Sequence, residues 1–230
     1  MKHLAKSLVV AGAVLAAGSA SAGMMGDISP YIGIDYQQSW MKGNGDWRKV
    51  FPDNYKGASL YVGTKFHEYF GLELGYDWSA REKENLNLAA GSTLFGNTLG
   101  AAATGTAKVR RTGGHLDLVG FLPVADNFEL TASLGYGWIQ PKVEMTINNP
   151  AANVNNSALA SVSGKGKSVF RVGVGGSYML TDMVGLRARL GWESTSSLRL
   201  KGNTDFTNGR YDTKGFKGTT SLRVGAFVKF

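Results

Sequence analysis

The stretch Phe70-Gly71-Leu72-Glu73-Leu74-Gly75-Tyr76-Asp77-Trp78 alternates with a period of two. Leu72, Leu74, Tyr76 and Trp78 fall on one face, and Glu73, Gly75 and Asp77 on the other. That period belongs to a strand, not a helix. The apolar face ends in two aromatics, and the opposite face carries two carboxylates. A strand of this kind has a greasy side and a charged side, and the question is which side meets the core.

The same pattern recurs along the chain and predicts eight strands. The others centre on Ile32-Tyr36, Leu60-Phe66, Leu116-Leu122, Leu130-Trp138, Phe170-Tyr178, Leu186-Trp192 and Leu222-Phe230. Connections alternate in length: 67–69, 123–127 and 181–183 are tight. Residues 39–56, 81–107, 140–167 and 195–215 are long and rich in Gly, Asn, Ser and Thr. A soluble sandwich also alternates, but its core excludes ionised groups. Here the charged face is too rich in charge to be such a core. The apolar faces also end in Tyr76-Trp78 and Tyr136-Trp138, as in the aromatic girdle of a lipid-facing barrel. In hydrocarbon an open sheet edge leaves backbone groups unpaired, so the sheet must close. The predicted fold is all-β, a closed eight-stranded antiparallel transmembrane β-barrel. Its turns are short and periplasmic, its loops long and extracellular, and both termini periplasmic.

Composition agrees. The 230 residues include 32 glycines, about twice the usual share, and no cysteine. That excludes a disulfide scaffold, a thiolate metal site and a cysteine nucleophile. No apolar run approaches the roughly 20 residues of a membrane helix. Lys2 and Lys6, the apolar Leu8–Ala17 and the small-residue exit Ala20-Ser21-Ala22 form a secretory signal over residues 1–22. The barrel domain is then 23–230, in the bacterial outer membrane.

The residues around 70–78 resemble the N-terminal transmembrane domain of the OmpA family of outer-membrane proteins. So do Tyr61-Val62-Gly63 and the stretch from Gly173 to Trp192, with a turn at Thr181-Asp182. The resemblance implies an eight-stranded barrel with a charge-paired interior. It also implies a pair between the third-strand carboxylate Glu73 and the seventh-strand Arg189. The family's sixth-strand acid is absent, since Ser177 stands there. Larger members carry a periplasmic wall-binding domain; none is expected here.

Strand parity alone fills the lumen with Asp35, Glu73, Asp77, Asp117 and Glu193 against Lys65, Arg171, Arg187, Arg189 and Arg223. Inward glycines at 33, 63, 75, 135, 173, 175 and 225 are expected to make room for the arginines. The reading assigns no catalytic residue, no metal and no cofactor. Gly164-Lys165-Gly166-Lys167-Ser168 mimics the end of a phosphate loop, but Ser161 stands where its first glycine belongs. Val224, Ala226, Val228 and Phe230 form a terminal face that resembles the signal read by the barrel-insertion machinery. Counted over 39–56, 81–111, 140–167 and 195–217, each outer segment holds more Lys and Arg than Asp and Glu. Lys108, Arg110 and Arg111 are the expected contact to lipopolysaccharide or another anionic surface ligand, and nucleic acid is not a partner. The expected role is structural or adhesive, with a small-solute channel as the alternative.

Cleavage after Ala22 would make Gly23 the first residue of the mature protein. Intact-mass measurement on protein from outer membranes is expected to match a chain starting there. A mature mass that includes Lys2 and Lys6 would reject the signal.

Overall fold

The structure is a computed structural model that describes residues 28–43, 53–94, 97–98, 100–149, 154–163, 167–194, 198–200, 211–213 and 216–230. The predicted signal at 1–22 and the glycines of the phosphate-loop mimic lie outside these residues.

Fourteen strands are described. They are β1 (Ser29–Gly43), β2 (Asn54–His67), β3 (Phe70–Ser79), β4 (Glu82–Leu88), β5 (Thr93–Leu94), β6 (Asn97–Thr98) and β7 (Ala103–Ala125). They continue as β8 (Phe128–Asn149), β9 (Val154–Ser163), β10 (Lys167–Met179), β11 (Val184–Glu193), β12 (Leu198–Leu200), β13 (Tyr211–Thr213) and β14 (Phe216–Lys229). The main sheet runs β4-β7-β3-β2-β1-β14-β11-β10-β8-β9, and β7 also pairs with β8. That extra pairing closes β7, β3, β2, β1, β14, β11, β10 and β8 into a ring of eight antiparallel strands.

Closure is completed by β14 against β1, in register from Tyr31 opposite Lys229 to Thr219 opposite Met41. The last residue is tied in as well, with the Phe230 amide donating to the Pro30 carbonyl at 2.9 Å. Both described chain ends therefore sit at the end of the barrel that carries the tight turns at Glu68-Tyr69, Asp126-Asn127 and Leu180–Met183.

The two faces separate as alternation demands. Ile34, Tyr36, Leu60, Leu72, Leu116, Leu118, Leu134, Tyr136, Val174, Leu190 and Val224 are exposed on the outer wall. Arg223, Glu73, Asp35 and His115 are fully buried inside. This inversion is the signature of a wall that faces lipid.

The long connections differ from expectation. They are not all irregular loops, because the strands themselves run on. β7 has 23 residues and β8 has 22, far beyond the 9–11 that span a bilayer. β4 pairs with the far half of β7, and β9 with the far half of β8. A four-stranded flap thus projects from one side of the ring. Its interior has its own apolar residues, with Leu86, Leu88, Ala103, Ala107 and Val109 buried.

The inward glycines make room, though for a wider set of side chains than arginines. A Cβ at Gly173 would approach Arg189 Cδ at 3.3 Å. At Gly75 it would meet the His115 ring, and at Gly135 the Leu116 carbonyl at 2.5 Å and the Asp117 carboxylate. Gly33 and Gly63 leave space for the rings of Tyr61 and Tyr31. In so narrow a tube, a ring or carboxylate on one strand needs a bare backbone on the next.

Candidate functional site

The lumen is occupied by charged side chains in two layers. Nearer the turn end, Arg187 on β11 bridges two carboxylates. Its Nε donates to Asp35 Oδ1 at 2.9 Å, Nη2 to Asp35 Oδ2 at 2.5 Å, and Nη1 to Glu73 Oε2 at 2.6 Å. Arg189 Nη1 donates to Glu73 Oε1 at 3.0 Å, so the pair implied by the resemblance is present. Glu73 also accepts from the Tyr31 hydroxyl at 3.4 Å. The Arg187 guanidinium lies over the Tyr61 ring, 3.1 Å from its centroid. Alternation explains the grouping: β1, β3 and β11 each turn odd-numbered residues inward, so these four groups meet across the tube.

The second layer lies toward the long-hairpin end. Asp77 accepts from Arg171 Nη1 and Arg223 Nη2, each at 3.1 Å. Arg171 lies 3.6 Å from Asp117 and 3.5 Å from Glu193. Arg223 lies 3.8 Å from Glu193. His115 sits among them, its Nδ1 3.4 Å from Asp77 and its Nε2 3.8 Å from Asp117.

Two of the expected positions move. Arg111, expected on the outer surface, is buried and hydrogen-bonded to Glu193 in the lumen. It lies on the same parity of β7 as Gly113, His115 and Asp117, all buried. Lys65, expected in the central network, is half-buried at the turn end. There it pairs with Glu129 and packs over the Phe121 ring, 4.2 Å from the centroid. Glu129 has the inward parity of Thr131 and Ser133 but abuts the tight turn, where parity is easily abandoned. It stands directly opposite Ser177, whose hydroxyl donates to it at 3.4 Å. The acid missing from position 177 is thus supplied one strand across. The central network still balances at five acids and five arginines, with Lys65–Glu129 a separate pair. Lys108 and Arg110 keep outward positions.

Glu73, His115 and Asp117 each bring one possible metal-ligand atom within 4.8 Å of the others. Arg187 and Arg189 hold Glu73, however, and Arg171 stands beside Asp117. Guanidinium groups already occupy the electrostatic role a cation would play there.

A closed ring of eight strands, greasy outside and ion-paired inside, defines a transmembrane barrel of the bacterial outer membrane. The chain belongs to the outer membrane protein beta-barrel domain family, whose model matches residues 8–223. No curated protein matches it. Among solved structures it is similar to a major outer membrane protein from Thermus thermophilus, at TM-score 0.56 and 14% identity, covering 89% of this chain and 100% of that one. It is similar to OprG from Pseudomonas aeruginosa at TM-score 0.51 and 11% identity, covering 90% and 97%. It is also similar to Ail, the attachment invasion locus protein of Yersinia pestis, at TM-score 0.50 and 15% identity, covering 88% and 98%. At these identities the likeness concerns the fold.

Removing Glu73 leaves Arg187 without one partner and Arg189 without its carboxylate, in a buried site. Glu73→Ala is expected to cost about 3–5 kcal/mol. Arg189→Ala added to it should cost less than the sum of the two single changes. Urea unfolding in lipid vesicles, followed by tryptophan fluorescence, gives both numbers; strict additivity would mean the two groups do not interact.

Proposed function

We propose that this barrel is plugged and acts at its outer surface, as a structural or surface-interaction protein. The observation that carries this reading is the lumen itself: ten charged side chains in compensating pairs cross it on Arg187–Glu73–Arg189 and Asp77–Arg171–Glu193. A cavity of about 160 Å³ opens at the turn end, lined by Tyr31, Lys65, Phe121, Glu129 and Phe227. It stops at Glu73, Arg187 and Arg189. Beyond them, a further cavity beside Arg171 and Arg223 holds only about 10 Å³. A solute entering from that end meets a wall of ion pairs. No reaction is assigned to these groups, since every acid among them faces a guanidinium or imidazole.

The turns and both chain ends are read as periplasmic and the projecting flap as extracellular, following the usual length asymmetry of such barrels. Residues 1–22 are read as a removed signal. The outer cations Lys108 and Arg110 are read as contacts to anionic lipid or glycan; Arg111 is withdrawn from that set.

The alternative is a small-solute channel. Planar-bilayer recording on refolded protein separates the two. A plugged lumen is expected to give brief or no openings, and a large, steady conductance would overturn it.

Val224, Ala226 and Val228 lie on the outward parity of β14, and Phe230, which directly follows the strand, is 65% exposed. We read this face as the segment recognised by the barrel-insertion machinery. Deleting Phe230 is expected to lower the yield of folded, heat-modifiable protein in outer membranes several-fold. Unchanged insertion would reduce Phe230 to an interfacial anchor.

A further inference from the structure

The outward face of β4, β7 and β8 places like charges directly opposite one another, twice. Lys83 faces Lys108 across β4 and β7. Arg110 faces Lys142 across β7 and β8. Arg81, one residue before β4, adds a fifth cation. The carboxylate on this face is Glu144, opposite Lys108 and 4.0 Å from Arg81. Like charges in directly opposed cross-strand positions destabilise a sheet. The segment has other acids, but it turns them away: Glu82 and Glu84 alternate with Lys83 and are half-buried on the inner side. Parity therefore gathers five cations on the outside against the single described carboxylate Glu144, a repulsion that Glu144 relieves only in part.

The height of the patch is informative. Trp78 and Trp138 face outward, and such rings mark the membrane interface. Lys142 lies four residues past Trp138 toward the flap, and Arg110 is its register partner. On tilted strands that is on the order of 10 Å above the ring, where lipid phosphates lie. The patch also faces sideways. It continues the lipid-facing wall of Leu116, Leu118, Leu134 and Tyr136, so one molecule can lay acyl chains on that wall and phosphate on the cations.

We propose that Arg81, Lys83, Lys108, Arg110 and Lys142 form a docking site for the phosphate-bearing headgroup of an outer-leaflet lipid. Guanidinium forks and ammonium groups from three strands would share its charge. This rests on the orientation in which the flap is extracellular, and it commits to a lipid because the site is contiguous with the lipid-facing wall.

The test uses the refolded protein in phosphatidylcholine vesicles, alone, with rough lipopolysaccharide, or with the same lipopolysaccharide after phosphatase treatment. The quadruple variant Lys83→Gln/Lys108→Gln/Arg110→Gln/Lys142→Gln is compared with wild type by urea unfolding and lipid titration. In phosphatidylcholine the variant should unfold at an equal or higher urea midpoint than wild type, because repulsion has been removed. This shows that it folds. Phosphorylated lipopolysaccharide should raise the wild-type midpoint, less so at high salt, and leave the variant unmoved. Each single neutralisation should weaken apparent affinity about fivefold, whereas Lys229→Gln at the turn end should not. Equal responses of wild type and variant, or indifference to dephosphorylation, would overturn the site. Protection by a soluble heparin fragment, with none from lipopolysaccharide, would overturn the lipid assignment in favour of a free polyanion. The conductance experiment is independent. A conducting barrel that still shows the lipid response overturns only the plug, and a plugged barrel without that response overturns only this site.

Discussion

A sheet in hydrocarbon cannot keep an unpaired edge, and the pairing of β7 with β8 is what removes it here. From Thr104 opposite Asn148 to Ala125 opposite Phe128, these strands join the two halves of the ring. Once the ring is closed at eight strands, the interior is too narrow for anything but side chains. Strand parity then dictates what fills it. The odd positions of β1, β3, β7, β10, β11 and β14 converge there, and the fold is stable only if their charges cancel.

Cancellation is achieved by sharing as well as by pairing. Arg187 serves two carboxylates, Glu73 serves two arginines, and Asp77 takes two more. Burying ionised groups is expensive unless they are paired and hydrogen-bonded, and sharing spreads that protection over neighbours from several strands. The layers are unequal in this respect. The side-chain polar atoms in the network that lack a hydrogen-bond partner include both His115 nitrogens, Asp77 Oδ1, Asp117 Oδ1, Glu193 Oε1, Arg223 Nε and Arg111 Nη1. All belong to the layer near the flap, whereas in the other layer it is the neutral Tyr61 hydroxyl, not a charged group, that lacks a partner. The layer of Asp35, Arg187, Glu73 and Arg189 is the tighter closure.

Legibility in the sequence followed the bilayer. Where one face meets lipid and the other a polar lumen, alternation is strong, and Glu73, Asp77, Arg189 and Arg223 fell into place by counting in twos. Above the membrane the alternation persists, with Leu86 and Leu88 alternating with Asn85 and Asn87 and with Ala107 and Val109 between Thr106, Lys108 and Arg110. It is short, built on small residues and flanked by Gly, Asn, Ser and Thr, so the extensions in β4, β7, β8 and β9 read as loop. Arg111 was misplaced for that reason: the count that put His115 and Asp117 inside stops short of it. Glu129 was missed at the opposite end, against a turn. The sharing of Glu73 between two arginines was not legible either, since parity gives a face but not which neighbours across the tube come within reach.

The flap has a mechanical side. β7 and β8 pass from membrane to flap without a break in pairing, so the flap is not hinged to the tube by a flexible loop. A pull on its tip along the strand direction would load many backbone hydrogen bonds at once, in shear, rather than opening them one after another. Force applied at the outer surface would therefore be transmitted through the ladder into the wall of the barrel. The same continuity fixes the compass bearing of the flap relative to the ring.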